Sequence, residues 1–191
     1  CLKKKFQYSP KGIEGVEKNI NETQIIYDAT SAKSNILILK KIKNKLKNKY
    51  FINLTPSKNG EYLVPYTNKK KIPQIVNLIT CGGQTSIPII NEVKKILKSK
   101  LKYVELVSSI AARSAGKATR QNINEYITNT QRAIGQLSGI KNNKVIINLN
   151  PSNPPVNMMN SIFFECKSFN KEKLKRARLV LNKINKTIKK Y

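Results

Sequence analysis

The sequence predicts an α/β protein, because short apolar segments typical of buried strands alternate with longer amphipathic segments typical of helices. The alternation begins near residue 24, so we expect the sheet to be largely parallel at its start. Of the 191 residues, 39% are hydrophobic and 7% are aromatic, which suits a folded chain and argues against full disorder. The length fits one domain or the joined parts of two.

In the first half, three apolar segments predict strands and a longer segment predicts a helix. The helix follows the turn at 29–32, is rich in Ile, Leu and Lys, and extends to about residue 49. Strands are expected at 24–28, 51–54 and 74–80, with a short extended segment at 61–64 after the Asn59-Gly60 turn.

In the second half, strands and helices continue to alternate around a loop that contains glycine. The first helix is expected at about 85–98, which places Pro88 in the first turn, where proline is tolerated. Further helices are expected at 122–137 and 171–190, strands at 102–110, 144–150 and 161–166, and the loop at 114–120.

The net charge of +27 is weak evidence for nucleic-acid binding. The chain has 32 Lys, 23 Asn and 25 Ile, three residue types with A/T-rich codons, so compositional drift of the genome explains them together. It has only five Arg, the residue that makes bidentate contacts to bases. The lysines are spread along the chain rather than gathered in one stripe, and we do not expect a nucleic-acid partner.

The cysteine and histidine content limits the possible chemistry. Cys1, Cys81 and Cys166 form no CxxC pair, which favours a reducing compartment, and we expect a cytoplasmic protein. The absence of histidine excludes Cys–His and Ser–His–Asp arrangements and His-based metal sites within this chain, and we expect no metal. No apolar run approaches the roughly 20 residues that span a bilayer, so no membrane association is expected.

Cys81 is the sharpest candidate for a reacting group. It lies between a predicted strand and a predicted helix, and two glycines follow it directly. The N–H groups and dipole at a helix start favour a thiolate and could hold a developing oxyanion, as thioester catalysis requires. The alternative is a buried structural cysteine beside a turn, and the local sequence favours the two equally.

Several segments together resemble the acylating acetaldehyde dehydrogenases. The most specific are ITCGGQTSIPII at 79–90, VSSIAARSAGKATRQN at 107–122 and IINLNPSNPP at 146–155. Earlier stretches also fit, namely SPKGIEGV at 9–16, DATSA at 28–32 and FINLTP at 51–56. The motifs lie in the family's order and at nearly its spacing, and the resemblance covers most of the chain from about Ser9 onward.

The resemblance implies oxidation of acetaldehyde by NAD, with transfer of the acyl group to coenzyme A. Cys81 matches the nucleophile that carries the thioester. Ile123 and Ile147 match residues lining the path by which aldehyde arrives from a partner aldolase of the 4-hydroxy-2-oxovalerate type, and the enzyme would be a homodimer. The cofactor-contacting loop matches Ser114, Ala115, Gly116, Lys117, Ala118, Thr119, Arg120, Gln121 and Asn122, with Asn122 also near the substrate carbonyl.

The sequence departs from the family pattern in four places. It contains no GxGxxG turn, and it ends inside the helix predicted at 171–190, short of the family's C-terminal region. Asn160 stands where the family has an aspartate that orients or activates the nucleophile, so a charge and any general-base capacity are lost. Lys117 and Ala118 replace the usual Pro-Gly.

The resemblance therefore implies an α/β fold in two parts. Residues 1–80 would be the second half of a Rossmann-like NAD-binding domain, and residues 81–191 an α+β catalytic and dimerisation domain, truncated at its C-terminal end. A sheet lacking its first strands would expose an edge and apolar surface, so we expect the isolated chain to be poorly soluble or oligomeric.

Three other functions remain as alternatives. A decayed or truncated remnant would keep only subunit or aldolase contacts and would form no thioester. A basic nucleic-acid module would bind in a steeply salt-dependent way. Semialdehyde-type dehydrogenases also place a nucleophilic cysteine after a Rossmann half, but they normally use a catalytic histidine, which this chain lacks.

Overall fold

In the computed structural model, residues 10–65, 71–168 and 170–188 are described. They form two β-sheets with helices packed against them, which confirms the mixed α/β class. Among these residues, no helix is both long enough and apolar enough to cross a membrane. The elements in chain order are α1 (Gly12–Asn19), β1 (Ile25–Asp28), α2 (Ala32–Ile42), β2 (Tyr50–Asn53), β3 (Glu61–Tyr62), β4 (Ile75–Asn77), α3 (Cys81–Leu97), β5 (Leu101–Ala111), α4 (Lys117–Gln121), α5 (Ile123–Ser138), β6 (Asn143–Asn150), β7 (Met159–Cys166) and α6 (Lys171–Ile188).

The first sheet contains four parallel strands in the order β1-β2-β4-β3. The expected strands are confirmed, as is the parallel sheet. The helix expected to reach residue 49 ends at Ile42 and continues only as a short 3₁₀ turn, Lys43–Lys45. Asn48 has a φ of 59°, a left-handed conformation that no α-helix contains. A small core between the helices and this sheet is formed by Ile20, Leu39, Ile42, Leu46 and Phe51.

The second sheet has three strands, with β5 at its centre. β5 is parallel to β6 and antiparallel to β7. Buried residues alternate along β5, and the face carrying Val104, Leu106 and Ser108 is fully buried. α3 packs against β5, β7, α5 and α6, so the larger core lies between this sheet and its helices.

α3 begins earlier than the sequence predicts. Thr80 acts as its N-cap, and the Thr80 hydroxyl accepts the Gly83 N–H at 3.1 Å. The helix therefore starts at Cys81, and the expectation that Pro88 lies in the first turn is wrong, since Pro88 is the eighth helical residue. The Gly82-Gly83 pair suggested a loop, but a good cap and tertiary packing make it the first turn of the helix.

The sheet edge formed by β1 carries exposed apolar side chains. Tyr27 is 63% exposed and Ile25 46% exposed. β1 pairs with β2 along one side, and the order of strands places it at the end of the sheet. The predicted apolar edge is therefore present in the described chain.

Candidate active site

Cys81 is the first residue of α3, and its side chain is exposed. The turn before it is strained, because Ile79 has a φ of 62°, a conformation rarely adopted by a β-branched residue. Two contacts fix this turn: the Ile79 N–H donates to Asn77 Oδ1 at 2.7 Å, and the Gln84 side-chain amide donates to the Leu78 carbonyl at 2.5 Å. Strain held in place by surrounding bonds is common at functional sites.

Beneath the thiol, the first turn of α3 lies very close to β5 and α5. A Cβ added to Gly82 would lie 2.5 Å from both Ser108 Oγ and the Tyr126 hydroxyl, so glycine is required here by close approach. The Gly82 N–H donates to the Tyr126 hydroxyl at 3.2 Å, and that same hydroxyl lies 3.9 Å from Cys81 Sγ. The amides of Gly82 and Gly83, expected to face a ligand, thus already have partners within the protein.

The Tyr126 hydroxyl lies in a polar group beneath Cys81. Burial is the main cause that raises the pKa of Tyr126, the nearby Cys81 adds to it, and the hydroxyls of Thr80 and Ser108 act in the opposite direction. Thr130 ties this group to α5, since its hydroxyl lies 2.8 Å from Thr80 Oγ1 and donates to the Tyr126 carbonyl at 2.7 Å.

The thiol opens into a cleft of about 220 Å³ between the two sheets. One wall is formed by the loops that follow β1 and β2, including Thr30 and Pro56, and the other by α3 and the start of α5. Ligands of open α/β sheets bind in such crevices outside the carboxyl ends of the strands. The full lining is Ala29, Thr30, Leu54, Thr55, Pro56, Ile79, Thr80, Cys81, Thr119, Asn122 and Tyr126.

The loops of the first wall are held by five buried polar residues, here called the Asx row: Asp28, Asn35, Asn53, Ser57 and Asn77. Asp28, Asn53 and Asn77 are neighbours at the ends of β1, β2 and β4, and each accepts the N–H of the residue two positions later, at 2.7–2.9 Å. Asn35 donates to Asp28 at 2.7 Å and accepts from Ser57 at 2.6 Å, and Ser57 also accepts from Asn53 at 2.7 Å. All five side chains are buried, so hydrogen bonding within the row compensates for their burial.

The expected cofactor loop reaches the cleft only in part. Thr119 and Asn122 line it, whereas the side chain of Ala115 is buried. Arg120 turns back on the loop and donates to the Ala115 carbonyl at 3.0 Å and the Ala112 carbonyl at 2.6 Å. Its guanidinium therefore stabilises the loop. The predicted loop also contains a short helix, α4, which the sequence analysis did not anticipate.

Asn160 lies near the first turn of α3 and reaches it through Thr85. Its amide donates to Thr85 Oγ1 at 2.7 Å, and the Thr85 hydroxyl donates to the Cys81 carbonyl at 3.1 Å. In the register of the sheet, Ser108 stands between Asn160 on β7 and Ile147 on β6. The structure thus places Asn160 and Ile147 in one row that faces the helix carrying Cys81.

The remaining candidates lie outside the cleft lining. Ile123 is half-buried at the start of α5, one residue after Asn122. A second cavity, of about 760 Å³ between α2 and β4, has no cysteine in its lining. Tyr126 was missed by the sequence analysis, because its contact with Cys81 joins residues 45 positions apart.

An exposed cysteine at a helix start, in a crevice at the ends of parallel strands, is an arrangement suited to α/β enzymes that form covalent intermediates. A sequence model of the family described as "Prokaryotic acetaldehyde dehydrogenase, dimerisation" matches residues 81–191. The chain belongs to this family.

Curated relatives carry the same name. The chain is 41% identical over 160 residues to an acetaldehyde dehydrogenase of Burkholderia thailandensis, covering 81% of this chain and 52% of the relative. It is 43% identical over 143 residues to one of Thermus thermophilus, covering 74% and 45%, and 37% identical over 159 residues to one of Pectobacterium atrosepticum, covering 81% and 53%. The chain thus spans about half the length of the curated relatives it matches.

Proposed function

We propose that this chain is the part of an acylating acetaldehyde dehydrogenase that carries the reacting cysteine. In the proposed reaction, acetaldehyde, NAD and coenzyme A give acetyl-coenzyme A and NADH through a thioester on Cys81. The observation that carries the proposal is the position of the exposed Cys81 thiol, at the first residue of α3 and in the lining of the cleft. The name of the relatives, acetaldehyde dehydrogenase, supports the choice of substrate.

The proposed chemistry centres on the sulfur of Cys81. Its thiolate adds to the carbonyl carbon of the aldehyde, and the carbonyl oxygen takes up a proton. The carbon then loses its hydrogen together with the bonding electron pair, and the hydroxyl proton is released, which leaves an acyl thioester. NAD, when bound, supplies the acceptor for that hydride. The thiol of coenzyme A attacks the thioester, loses its proton and receives the acyl group, while Cys81 departs as thiolate.

In this proposal residues 1–80 are the second half of a Rossmann-like NAD-binding domain, and residues 81–191 form the catalytic and dimerisation domain. The all-parallel first sheet and the cleft at its carboxyl edge support the assignment. Pockets that enclose whole drug-sized ligands measure roughly 300–1,000 Å³. The smaller cleft therefore suits only the reacting end of a dinucleotide, and we assign contacts with its carboxamide and ribose to three polar residues of the lining, Thr30, Thr119 and Asn122.

We assign the other candidate residues supporting roles. Within the loop at 114–122, Thr119 and Asn122 contact the cofactor, and Arg120 holds the loop in shape. Asn160 positions the first turn of α3 through Thr85, in place of the family's aspartate. Ile123 and Ile147 line the aldehyde path from a 4-hydroxy-2-oxovalerate-type aldolase, a role that rests on the family resemblance.

We also assign a second copy of this chain to the face of the second sheet that points away from the helices. Phe163 and Met159, on that face of β7, are 57% and 64% exposed, and Val107 and Ile146 are their half-buried neighbours on β5 and β6. Apolar surface of this kind marks interaction sites, and the family description names dimerisation. The unpaired Cys81 and Cys166 fit the reducing cytoplasm.

Acyl transfer from acetyl-coenzyme A tests the proposal without requiring the hydride step. The chain is incubated with acetyl-coenzyme A, and the acetylated peptides are identified by mass spectrometry. We expect a hydroxylamine-sensitive acetyl group on the Cys81 peptide and none on the Cys166 peptide. Cys81→Ser should abolish this labelling, and Cys166→Ser should leave it intact.

Two outcomes would contradict the proposal. Equal acetylation of both cysteines would indicate nonspecific chemistry, because Cys166 lies in β7 outside the cleft. A folded chain that forms no thioester would support the non-catalytic alternative, in which only subunit or aldolase contacts remain. Formation of NADH from acetaldehyde, NAD and coenzyme A then tests the complete reaction.

A further inference from the structure

The Tyr126 hydroxyl is held by the Gly82 N–H, lies beside the hydroxyls of Thr80 and Ser108, and contacts the sulfur of Cys81. Its oxygen accepts the Gly82 N–H at 3.2 Å and lies 3.9 Å from Cys81 Sγ. The bond from Gly82 uses an acceptor site of the oxygen and leaves the O–H proton available to donate. A hydroxyl that accepts one hydrogen bond becomes a stronger donor, since linked hydrogen bonds polarise one another.

The O–H proton of Tyr126 can stabilise a thiolate at Cys81. A reactive cysteine is commonly held as thiolate by an imidazolium, and this sequence contains no histidine. The α3 amides of Gly82 and Gly83 donate to the side chains of Tyr126 and Thr80. The Tyr126 hydroxyl therefore links the Gly82 N–H at the helix start to the sulfur of Cys81. Through this link, the polarisation by the Gly82 N–H strengthens the hydrogen bond that the hydroxyl can donate to the sulfur.

Burial keeps the phenol in the form that can donate. The pKa of Tyr126 is raised above its usual value, chiefly by burial and further by Cys81 beside it. The hydroxyl consequently stays protonated at neutral pH, also when the sulfur beside it is ionised. A neutral donor next to a thiolate stabilises the charged sulfur, since hydrogen bonds to a charged group favour its charged form.

We propose that Tyr126 is a catalytic residue whose hydroxyl donates a hydrogen bond to the Cys81 thiolate and so maintains the population ready to attack a carbonyl. Its use in acyl transfer rests on the proposed function, whereas the hydrogen bond itself is a property of the resting protein. Gly82 is needed for the same contact, because the Cβ of a larger residue would displace the Tyr126 hydroxyl.

The test is the pH dependence of alkylation by iodoacetamide in Tyr126→Phe, followed at the Cys81 peptide by mass spectrometry. If the hydrogen bond holds roughly tenfold more sulfur as thiolate, its loss lowers the thiolate fraction about tenfold at neutral pH. The remaining thiolate is more nucleophilic by about threefold, because thiolate reactivity rises with basicity with a coefficient of about 0.4–0.5. We expect alkylation to be about threefold slower at pH 7 and about threefold faster at alkaline pH, where the thiol is fully ionised.

The chain offers matched controls. Tyr62 is also buried, and its hydroxyl donates to Asn129 Oδ1 on α5 at 2.7 Å, so Tyr62→Phe removes a comparable buried hydroxyl next to the same helix. Tyr62→Phe should leave the Cys81 profile unchanged. Cys166 in the same molecule serves as an internal reference, and its profile should be identical in all three proteins.

Three results would overturn the proposal. They are superimposable Cys81 profiles for Tyr126→Phe and the unaltered chain, a change in the same direction at every pH, and an equal effect of Tyr62→Phe. Should Tyr126→Phe fail to fold, the phenol of Tyr126 is followed by carbon NMR in the unaltered chain and in Cys81→Ala. The proposal requires its titration to move to lower pH when the sulfur is removed, and an unmoved titration overturns it.

Alkylation requires no aldehyde, NAD or coenzyme A, so the two hypotheses fail separately. Crossing profiles in a chain that forms no acetyl thioester would retain the role of Tyr126 and refute the proposed reaction. A chain that acetylates Cys81, but whose alkylation profile is unaffected by Tyr126→Phe, would support the proposed reaction and refute the role of Tyr126.

Discussion

Replacing Gly82 with alanine tests the close packing beneath the first turn of α3. The new Cβ would lie 2.5 Å from both Ser108 Oγ and the Tyr126 hydroxyl, distances that real Cβ atoms do not show. The side chains of Ser108 on β5 and Tyr126 on α5 must shift to accommodate it, and overpacking of this kind costs about 1–3 kcal/mol. The higher helix propensity of alanine returns at most about 1 kcal/mol. We therefore expect the free energy of unfolding to fall by about 1–2 kcal/mol.

Two other glycines give a graded comparison. At Gly83 the added Cβ would meet Ile79 Cγ2 at 3.0 Å, so Gly83→Ala should cost less than Gly82→Ala. At Gly135, inside α5, the nearest atom would be 3.8 Å away, so Gly135→Ala should stabilise by up to about 1 kcal/mol through helix propensity. Urea unfolding followed by circular dichroism measures all three, and with a slope of about 2 kcal/mol per M the Gly82 midpoint should fall by about 0.5–1 M.

The order of the three midpoints decides the outcome. The packing argument requires Gly82→Ala to be the least stable and Gly135→Ala the most stable. A Gly82→Ala protein as stable as the unaltered chain would show that the first turn of α3 has room for a methyl group. The contact between Gly82, Tyr126 and Cys81 would then not be the tight arrangement described above.

Two further predictions concern charge. Asn160→Asp restores the carboxylate expected from the family resemblance. If its charge assists the nucleophile, acyl transfer should rise at least about tenfold, measured as the rate of Cys81 acetylation. An unchanged rate would leave residue 160 with only its positioning role through Thr85. Burial raises the pKa of both Tyr62 and Tyr126, so above pH 10 the native state retains protons that the unfolded state loses, and the free energy of unfolding should decline as pH rises. Phenylalanine at either position should flatten this decline between pH 9 and 11 in urea titrations, and an unaltered slope would contradict the assignment.

The strands were predictable because each one is a short apolar run bounded by turn residues, and β1, β2, β5, β6 and β7 all lie within a few residues of their expected positions. The start of α3 was misjudged, since Gly82 and Gly83 read locally as a loop. The Thr80 cap and the packing against Ser108 override that local preference. α1, a helix of eight residues, gave too weak a pattern to predict.

The residues of the candidate site were likewise predictable only in part. Cys81 and Asn122 could be selected from the sequence, and the structure places both in the lining of one cleft. Tyr126 could not be selected, because a tyrosine on the buried side of an amphipathic helix is ordinarily a core residue. The inward turn of Arg120 was equally hidden, since the choice between loop carbonyls and a ligand depends on tertiary geometry.

The Asx row has a consequence for how the cleft meets its ligand. Moving the loops after β1 or β2 would break bonds of Asp28, Asn53 or Asn77, and each buried polar group left unpaired costs roughly 1–3 kcal/mol. A widened cleft is therefore a rare excursion, and this wall is already in its final position when a ligand arrives. Selection then takes place by size at a fixed opening, so a ligand too bulky for the opening is excluded instead of being accommodated by a closing loop.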